Sequence, residues 1–443
     1  MSALAEICLA KGDAVTGSDL RPNNLTDKLA ASGAVIFKGH AESNVPRDAG
    51  LAVRSSCIRD DNPEVRRAGE LEIPVISRGE MLRRVISAAP FSMAATGTHG
   101  KTTTSALLAH IAQECGKEPT VLIGGEMENF KGNARFGKGG TVVAEVDESD
   151  GYFRNISVTC AVITNIEKDH MENYGSFDDL IAAYSDFIRK IPKEGVFVFN
   201  GEDPVLERFS NATPAKKITF GIDRAADVTC RGHKYDRSIE FELIIKGEPR
   251  GMVESRLIGR HNLMNILGAV AACYGSGFDL ADVIKAVGSF RGVKRRFESV
   301  GRAGGVEVIE DYAHHPTELR SVISAAKKYS SGRIITVFQP HRYSRTRDML
   351  EEFSRCFYDS DVLILTDIYS ADEDAIHNVN TKNIYDMMDR TRFLRLELLD
   401  KNNIPAFVAD TAENGDTVLV LGAGDIREVA GEIVSAIKGK QGR

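Results

Sequence analysis

Short apolar runs recur along the chain, each followed by a polar turn and then by a stretch whose apolar positions fall at helical spacing. Among them are Ala14-Val15-Thr16, Ala34-Val35-Ile36-Phe37, Phe91–Thr96, Val142-Val143-Ala144 and Ala161-Val162-Ile163. Later come Val306–Ile309, Ile334–Phe338, Val362–Leu365 and Val418–Leu421. Strand-like runs alternating with helical patterns predict an α/β architecture with mostly parallel sheets. The pattern divides into three units: 1–88, 89–297 and 298–443. The second opens at Phe91–Thr96 and closes near the basic stretch Arg291–Arg296.

Length agrees, since 443 residues suggest about three domains. A hydrophobic fraction of 42% and a charged fraction of 27% describe an ordinary globular protein. No run nears the ~18–20 apolar residues of a membrane span, and the start lacks the basic and apolar regions of a secretory signal. The seven cysteines include no Cys-x-x-Cys pair, which argues against a zinc site or disulfide scaffold and for reduced, cytoplasmic thiols. A net charge of −7 argues against nucleic-acid binding. It also means that any phosphate-bearing substrate must be drawn in by local cations and backbone amides.

The strongest chemical signal is Ala95-Thr96-Gly97-Thr98-His99-Gly100-Lys101-Thr102-Thr103-Thr104. It follows a strand and opens a helix (Ser105–Gln113, stopped by Gly116), as a phosphate-binding loop requires. Gly97 and Gly100 permit close backbone approach, and the helix start presents unpaired N–H groups to an anion. Lys101 is placed to reach β/γ-phosphates and Thr102 to ligate Mg2+. Ala95 stands where such loops usually carry their first glycine. Next, Ala144-Glu145-Val146-Asp147-Glu148-Ser149-Asp150 delivers carboxylates at the end of an apolar strand, either as a solvated acidic loop or as hard ligands for Mg2+. After Ala161-Val162-Ile163, the run Asn165-Ile166-Glu167-Lys168-Asp169-His170-Met171 offers His170 either as an ordinary loop histidine or as a metal ligand or phosphate-positioning group. Asn262 and Asn265 share a helix face and suit either recognition of a base edge or an N-cap followed by a surface asparagine. The cations of Arg291–Arg296 serve either as a solvated linker or as a junction arginine aimed at phosphates.

In the third unit, Asp311-Tyr312-Ala313-His314-His315-Pro316-Thr317-Glu318 follows a strand, with Pro316 suited to a helix first turn. Phe338-Gln339-Pro340-His341-Arg342-Tyr343-Ser344-Arg345-Thr346 follows another, and the planar forks of Arg342 and Arg345 suit a carboxylate or phosphate. Gly422-Ala423-Gly424-Asp425 reads as an architectural turn.

Taken in order, these motifs resemble the Mur ligase family, and the resemblance spans essentially the whole chain. The Phe-Gln-Pro-His-Arg-Tyr-Ser-Arg-Thr segment is similar to that of the L-alanine-adding branch. The resemblance implies three α/β domains: a Rossmann-like N-terminal domain for a UDP-sugar, a central P-loop ATPase-like domain for ATP, and a Rossmann-like C-terminal domain for an amino acid. It implies an ATP-dependent ligase, joining L-alanine to UDP-N-acetylmuramate through an acyl phosphate in cytoplasmic peptidoglycan precursor synthesis, with no nucleic-acid or membrane partner, as a monomer or homodimer. By the same resemblance Gly97, Thr98, His99, Gly100, Lys101, Thr102 and Thr103 would cradle ATP. Thr102, Glu145 and His170 would surround Mg2+. Asn262, Arg296 and Asp311 would hold the rest of the nucleotide. Tyr312, His314, His341, Arg342 and Arg345 would bind alanine and orient its amine, and Asp19, His40 and Ser55 are candidates for the UDP-sugar. Lys101, His170 and Arg345 are the expected catalytic groups.

Two departures accompany the resemblance. The family begins with a strand and a glycine-rich loop ending in Gly-Met-Ser, whereas Met1–Glu6 aligns with the tail of that loop. The first strand of the N-terminal domain is therefore expected to be missing, through a start assigned at an internal methionine or through truncation. Ala371-Asp372-Glu373 replaces a more usual Ala-Gly-Glu. The competing expectations are a tripeptide-adding ligase with the same ATP chemistry, a nucleotide-driven switch or transport ATPase, and a non-catalytic paralogue. The second would hydrolyse ATP with no amino acid present.

Overall fold

The computed structural model describes residues 1–441. The chain forms two compact units: one of Met1–Gly232, Phe241–Glu254 and Met264–Arg291, the other of His233–Glu240, Ser255–Leu263 and Gly292–Arg443.

In the first unit a ten-stranded sheet runs in the order Glu248–Ser255, Ile239–Ile245, Val228–Lys234, Lys216–Phe220, Val196–Asn200, Cys160–Ile163, Phe91–Thr96, Thr141–Glu145, Thr120–Met127, Gly132–Arg135. From Lys216–Phe220 through Thr120–Met127 the pairing is parallel, and Gly132–Arg135 closes that edge antiparallel. Phe91–Thr96 sits between two strands that both come later in the chain, so it lies where the winding reverses. At such a point the loops leaving the C-terminal ends of neighbouring strands diverge and open a crevice for ligands. The strand's burial follows from its position, since Met93, Ala94 and Ala95 have no exposed surface. Ala95 is thus a strand residue whose methyl group packs in the sheet, which is why alanine serves there.

Residues 1–89 contribute two separate parallel pairs, Thr16–Asp19 with Val35–Lys38 and Ala52–Arg54 with Val75–Ser77. Among the described residues no strand joins them. The helices beside them start on firm signals. Asn62 caps Pro63–Glu70 with proline in its first turn, and Ser77 caps Arg78–Ser87 by accepting from the Glu80 amide.

The second unit carries a six-stranded sheet, ordered Glu298–Ala303, Val306–Asp311, Thr417–Leu421, Ile334–Phe338, Val362–Leu365, Arg395–Leu398. It is parallel except for its first pair. Thr417–Leu421, last in sequence, lies between the strands that precede the two histidine-bearing motifs. Its own exit turn is packed tight. A Cβ on Gly424 would lie 2.5 Å from Gln339 Oε1, and Gln339 Nε2 donates to Asp425 Oδ1 at 2.9 Å. That turn is architectural, as its sequence suggests.

Candidate active site

Three loops leave adjacent strands of the ten-stranded sheet and meet around Lys101. The first is Gly97–Gly100, between Thr96 and the helix Lys101–Glu114. Gly97 has φ 125°, and a Cβ there would lie 2.2 Å from Thr164 Oγ1. Gly100 has φ 82°, and its Cβ would lie 2.4 Å from Asn265 Oδ1. Both positions need glycine twice over, for the backbone angle and for the space. The loop is laced to the strand exit at Ile163. Thr98 N donates to Asn165 O at 3.0 Å, His99 N donates to Asn165 Oδ1 at 2.9 Å, and Asn165 Nδ2 donates back to His99 O at 3.0 Å. Glu167 N donates to Thr98 Oγ1 at 2.8 Å.

The acidic loop after Thr141–Glu145 divides its work. Thr102 Oγ1 donates to Glu145 Oε1 at 3.1 Å, while Glu145 Oε2 accepts Gly124 N at 2.7 Å. Lys101 Nζ donates to Gly97 O, Thr98 O and Glu148 Oε1 at 2.7, 3.0 and 2.9 Å. Burial alone would lower the lysine pKa, but the charges of Glu148, Asp147 and Glu145 outweigh it and hold the ammonium protonated. Burial pushes the Glu148 carboxyl up to about 7 against the pull of Lys101. The Tyr174 hydroxyl donates to the Glu148 carbonyl and pins the loop from behind. His170, at φ 55°, starts the short helix Met171–Tyr174 between Asp169 (3.6 Å) and Glu172 (3.6 Å). Thr103 is buried one step further into the long helix.

The two asparagines of the helix Arg260–Gly275 behave differently. Asn262 is buried and donates Nδ2 to Ile258 O at 2.9 Å, whereas Asn265 reaches the phosphate-type loop, its Oδ1 3.4 Å from Thr104 Oγ1. In the N-terminal segment, Asp19 ends one strand and accepts the Arg21 amide at 2.8 Å. His40 Nδ1 lies 2.9 Å from Ser18 Oγ, which donates to Glu64. Ser55 follows a strand of the other pair, beside Cys57. Ser18 and Glu64 were not singled out in the sequence, because nothing in spacing links them to His40.

The second unit gathers its own set. Asp311 ends a strand and accepts Ala313 N at 2.7 Å and Phe297 N at 2.8 Å. Burial raises its pKa to about 6, although Arg296 and these amides pull the other way. Arg295 and Arg296 lie over the Tyr312 ring at 4.8 and 5.3 Å, and Arg295 Nε pairs with Glu310 at 2.6 Å. The His314 ring contacts Tyr312 and His341, and His341 stacks on Tyr369. Arg345, 8% exposed, brings Nη1 to 3.3 Å from His341 Nδ1. Arg342 has φ 73° and lies 3.6 Å from Glu373, which also accepts from Ser344 N and Oγ. Glu373 and Tyr369 are thus neighbours of the site that the sequence reading did not assign. The Ala371-Asp372-Glu373 departure now has a physical account. Asp372 sits at φ 64°, a left-handed angle that glycine adopts freely and that aspartate tolerates better than most residues.

Phosphate loop, carboxylates and helix start thus form one half of a chemistry, and a cationic, histidine-bearing cluster forms another. Comparison with known proteins gives matches along nearly the whole chain. Residues 1–89 match the model described as Mur ligase family, catalytic domain; 95–273 match Mur ligase middle domain; 295–424 match Mur ligase, glutamate ligase domain. A UDP-N-acetylmuramate–L-alanine ligase of Desulforamulus reducens is 37% identical over 446 residues, covering 99% of this chain and 96% of that one. One of Geotalea daltonii is 38% identical over 440 residues, covering 99% and 96%. The crystal structure of a UDP-N-acetylmuramate–alanine ligase from Thermotoga maritima superposes with a TM-score of 0.84 at 29% identity, covering 99% and 97%. A murein peptide ligase from Psychrobacter arcticus shares the fold, with a TM-score of 0.72 at 21% identity over 99% and 96%.

Proposed function

The chain belongs to the Mur ligase family, and on that premise we propose that it is an ATP-dependent ligase joining L-alanine to the lactyl carboxylate of UDP-N-acetylmuramate, in peptidoglycan precursor synthesis. The observation that carries the reading is the cluster at the switch point: a partly buried lysine, a threonine hydroxyl and two carboxylates, brought together at the ends of adjacent strands.

In the first step a lactyl carboxylate oxygen attacks the γ-phosphorus, the bond to the β,γ-bridging oxygen breaks, and ADP leaves an acyl phosphate behind. In the second, the alanine amine attacks the acyl carbon, phosphate departs, and the amine proton is lost as the amide forms. The protein's work is placement and charge neutralisation. The loop Gly97–Thr103, through the amides at the helix start and the ammonium of Lys101, would face the phosphates. Asn262, Arg296 and Asp311 would hold the remainder of the nucleotide. His314, His341 and Arg345, with Tyr312 and Arg342, would hold the alanine carboxylate and leave its amine free. Asp19, His40 and Ser55 would serve the sugar nucleotide.

Thr102 Oγ1 and Glu145 Oε1, hard oxygens 3.1 Å apart beside a phosphate-type loop, suit Mg2+, with His170 as a further ligand. Bound there, Mg2+ would offset charge on the transferring phosphoryl group. We assign residues 1–88, 89–297 and 298–443 to the sugar nucleotide, ATP and amino acid in turn. A cytoplasmic place and a monomeric or dimeric state complete the proposal. No described helix is long and apolar enough to cross a membrane.

The test is ADP release with UDP-N-acetylmuramate, ATP and L-alanine, each omitted in turn, and with the tripeptide replacing alanine. Release should require all three and favour L-alanine. Release without any amino acid would point to a plain ATPase, and preference for the tripeptide would point to a recycling ligase.

A further inference from the structure

Lys101 is fully engaged with protein acceptors. Three ammonium hydrogens meet three acceptors, the Gly97 and Thr98 carbonyls and Glu148 Oε1. Glu148 is the unusual partner. Its side chain is 2% exposed, and its second oxygen, Oε2, is buried without a hydrogen-bond partner. Buried carboxylates ordinarily satisfy both oxygens. To touch a phosphate, Lys101 must give up at least one acceptor. Releasing a loop carbonyl loses one neutral hydrogen bond. Releasing Glu148 would strip its buried carboxyl of the cation that offsets its desolvation, leaving it charged and unpaired or forced to take up a proton, which costs more than one neutral hydrogen bond. The cheaper motion keeps the ion pair.

We propose that Glu148 is the positioning residue for Lys101: the ammonium turns about its Glu148 contact, trades loop carbonyls for phosphate oxygens, and so stands where Glu148 places it during phosphoryl transfer. Glu145, three residues earlier, is committed to Thr102 and Gly124 and does not share this task. The inference rests on the ATP-dependent ligase reading.

A double-mutant cycle on full-length protein tests it, with L-alanine-dependent ADP release for turnover and a fluorescent ATP analogue for binding. Glu148→Gln should lower kcat by about 10²-fold, the scale of a small misplacement of a reacting group. Nucleotide affinity should stay within about threefold of wild type, a loss in turnover without a loss in binding. In a Lys101→Ala background, itself slowed by about 10³-fold or more, the same change should add less than about twofold, because its route of action is gone. Glu148→Asp keeps the charge on a shorter arm and should fall between Gln and wild type. It carries the test if the Gln variant does not fold. Near-normal kcat in Glu148→Gln, or losses that simply multiply in the double variant, would overturn the proposal while wild-type turnover left the ligase reading intact. A wild type that releases no ADP with all three substrates would instead sink that reading.

Discussion

Asp311 shows how one residue carries both local structure and a pH signature. Its two oxygens fix the chain at Phe297 and Ala313, and burial lifts its pKa from 3.8 to about 6. The folded state therefore binds more protons than the unfolded state between those values. Its contribution to stability falls as pH rises through that window, by roughly 3 kcal/mol in all at ~1.4 kcal/mol per pKa unit. Asparagine carries no such charge. The unfolding midpoint of Asp311→Asn, compared with wild type, should improve as pH goes from about 4 to about 7; a difference that stayed flat would contradict the burial argument. At this scale the sequence was informative about identity and silent about partners. Lys101, Thr102 and Glu145 could be named from their motifs. That Lys101 pairs with Glu148, 47 residues away, could not, because several carboxylates in that motif were equal candidates.

Among the elements, the phosphate-type loop is the most constrained. Gly97 has φ 125°, and its missing side chain leaves room for Thr164 and Asn165 to pass close by. Gly97→Ala must strain the backbone and push the Asn165 strand exit away, at a cost of about 1–3 kcal/mol. Nucleotide affinity should drop more than stability, by at least about tenfold, since the loop that leads into the anion-facing helix start would be displaced. Fluorescent-nucleotide titration alongside a thermal melt checks this, and unaltered affinity would mean that the loop tolerates the shift. Element types and exits were legible because apolar runs bounded by glycine-bearing turns have few alternatives in an α/β chain. The helix begins at Lys101, earlier than the apolar pattern marks it, because Thr102, Thr103 and Thr104 are buried polar residues. The apolar period cannot register such residues.

Across the whole molecule, the proposed phosphate-facing groups and the amino-acid groups fall in different compact units, while Asn262, Arg296 and Asp311, proposed for the rest of the nucleotide, lie in the same unit as the amino-acid groups. Lys101 and its carboxylates belong to the first, and Arg345 with His341 to the second. Substitutions should therefore separate kinetically. Arg345→Lys keeps a charge but loses the planar fork, so KM for L-alanine should rise by about tenfold or more, equivalent to ~1.4 kcal/mol or more of lost binding. Binding of the ATP analogue should stay unchanged. Steady-state kinetics at saturating ATP, with a parallel binding titration, decide the matter. A loss of nucleotide affinity equal to the loss for alanine would argue against separate duties.

The sequence by itself determined the α/β class, the strands that lead into the chemistry-bearing loops, those loops and the family. Each of these is encoded locally, in hydrophobic period, turn residues and motif spacing. Only the tertiary structure decided which strands neighbour one another, and so which loops meet. It brought the exits after Thr96, Glu145 and Ile163 side by side, turned Asn262 inward while sending Asn265 to the loop, and left the N-terminal strands in two pairs. Strand order and burial depend on pairings between segments far apart in sequence, and no local pattern carries that information.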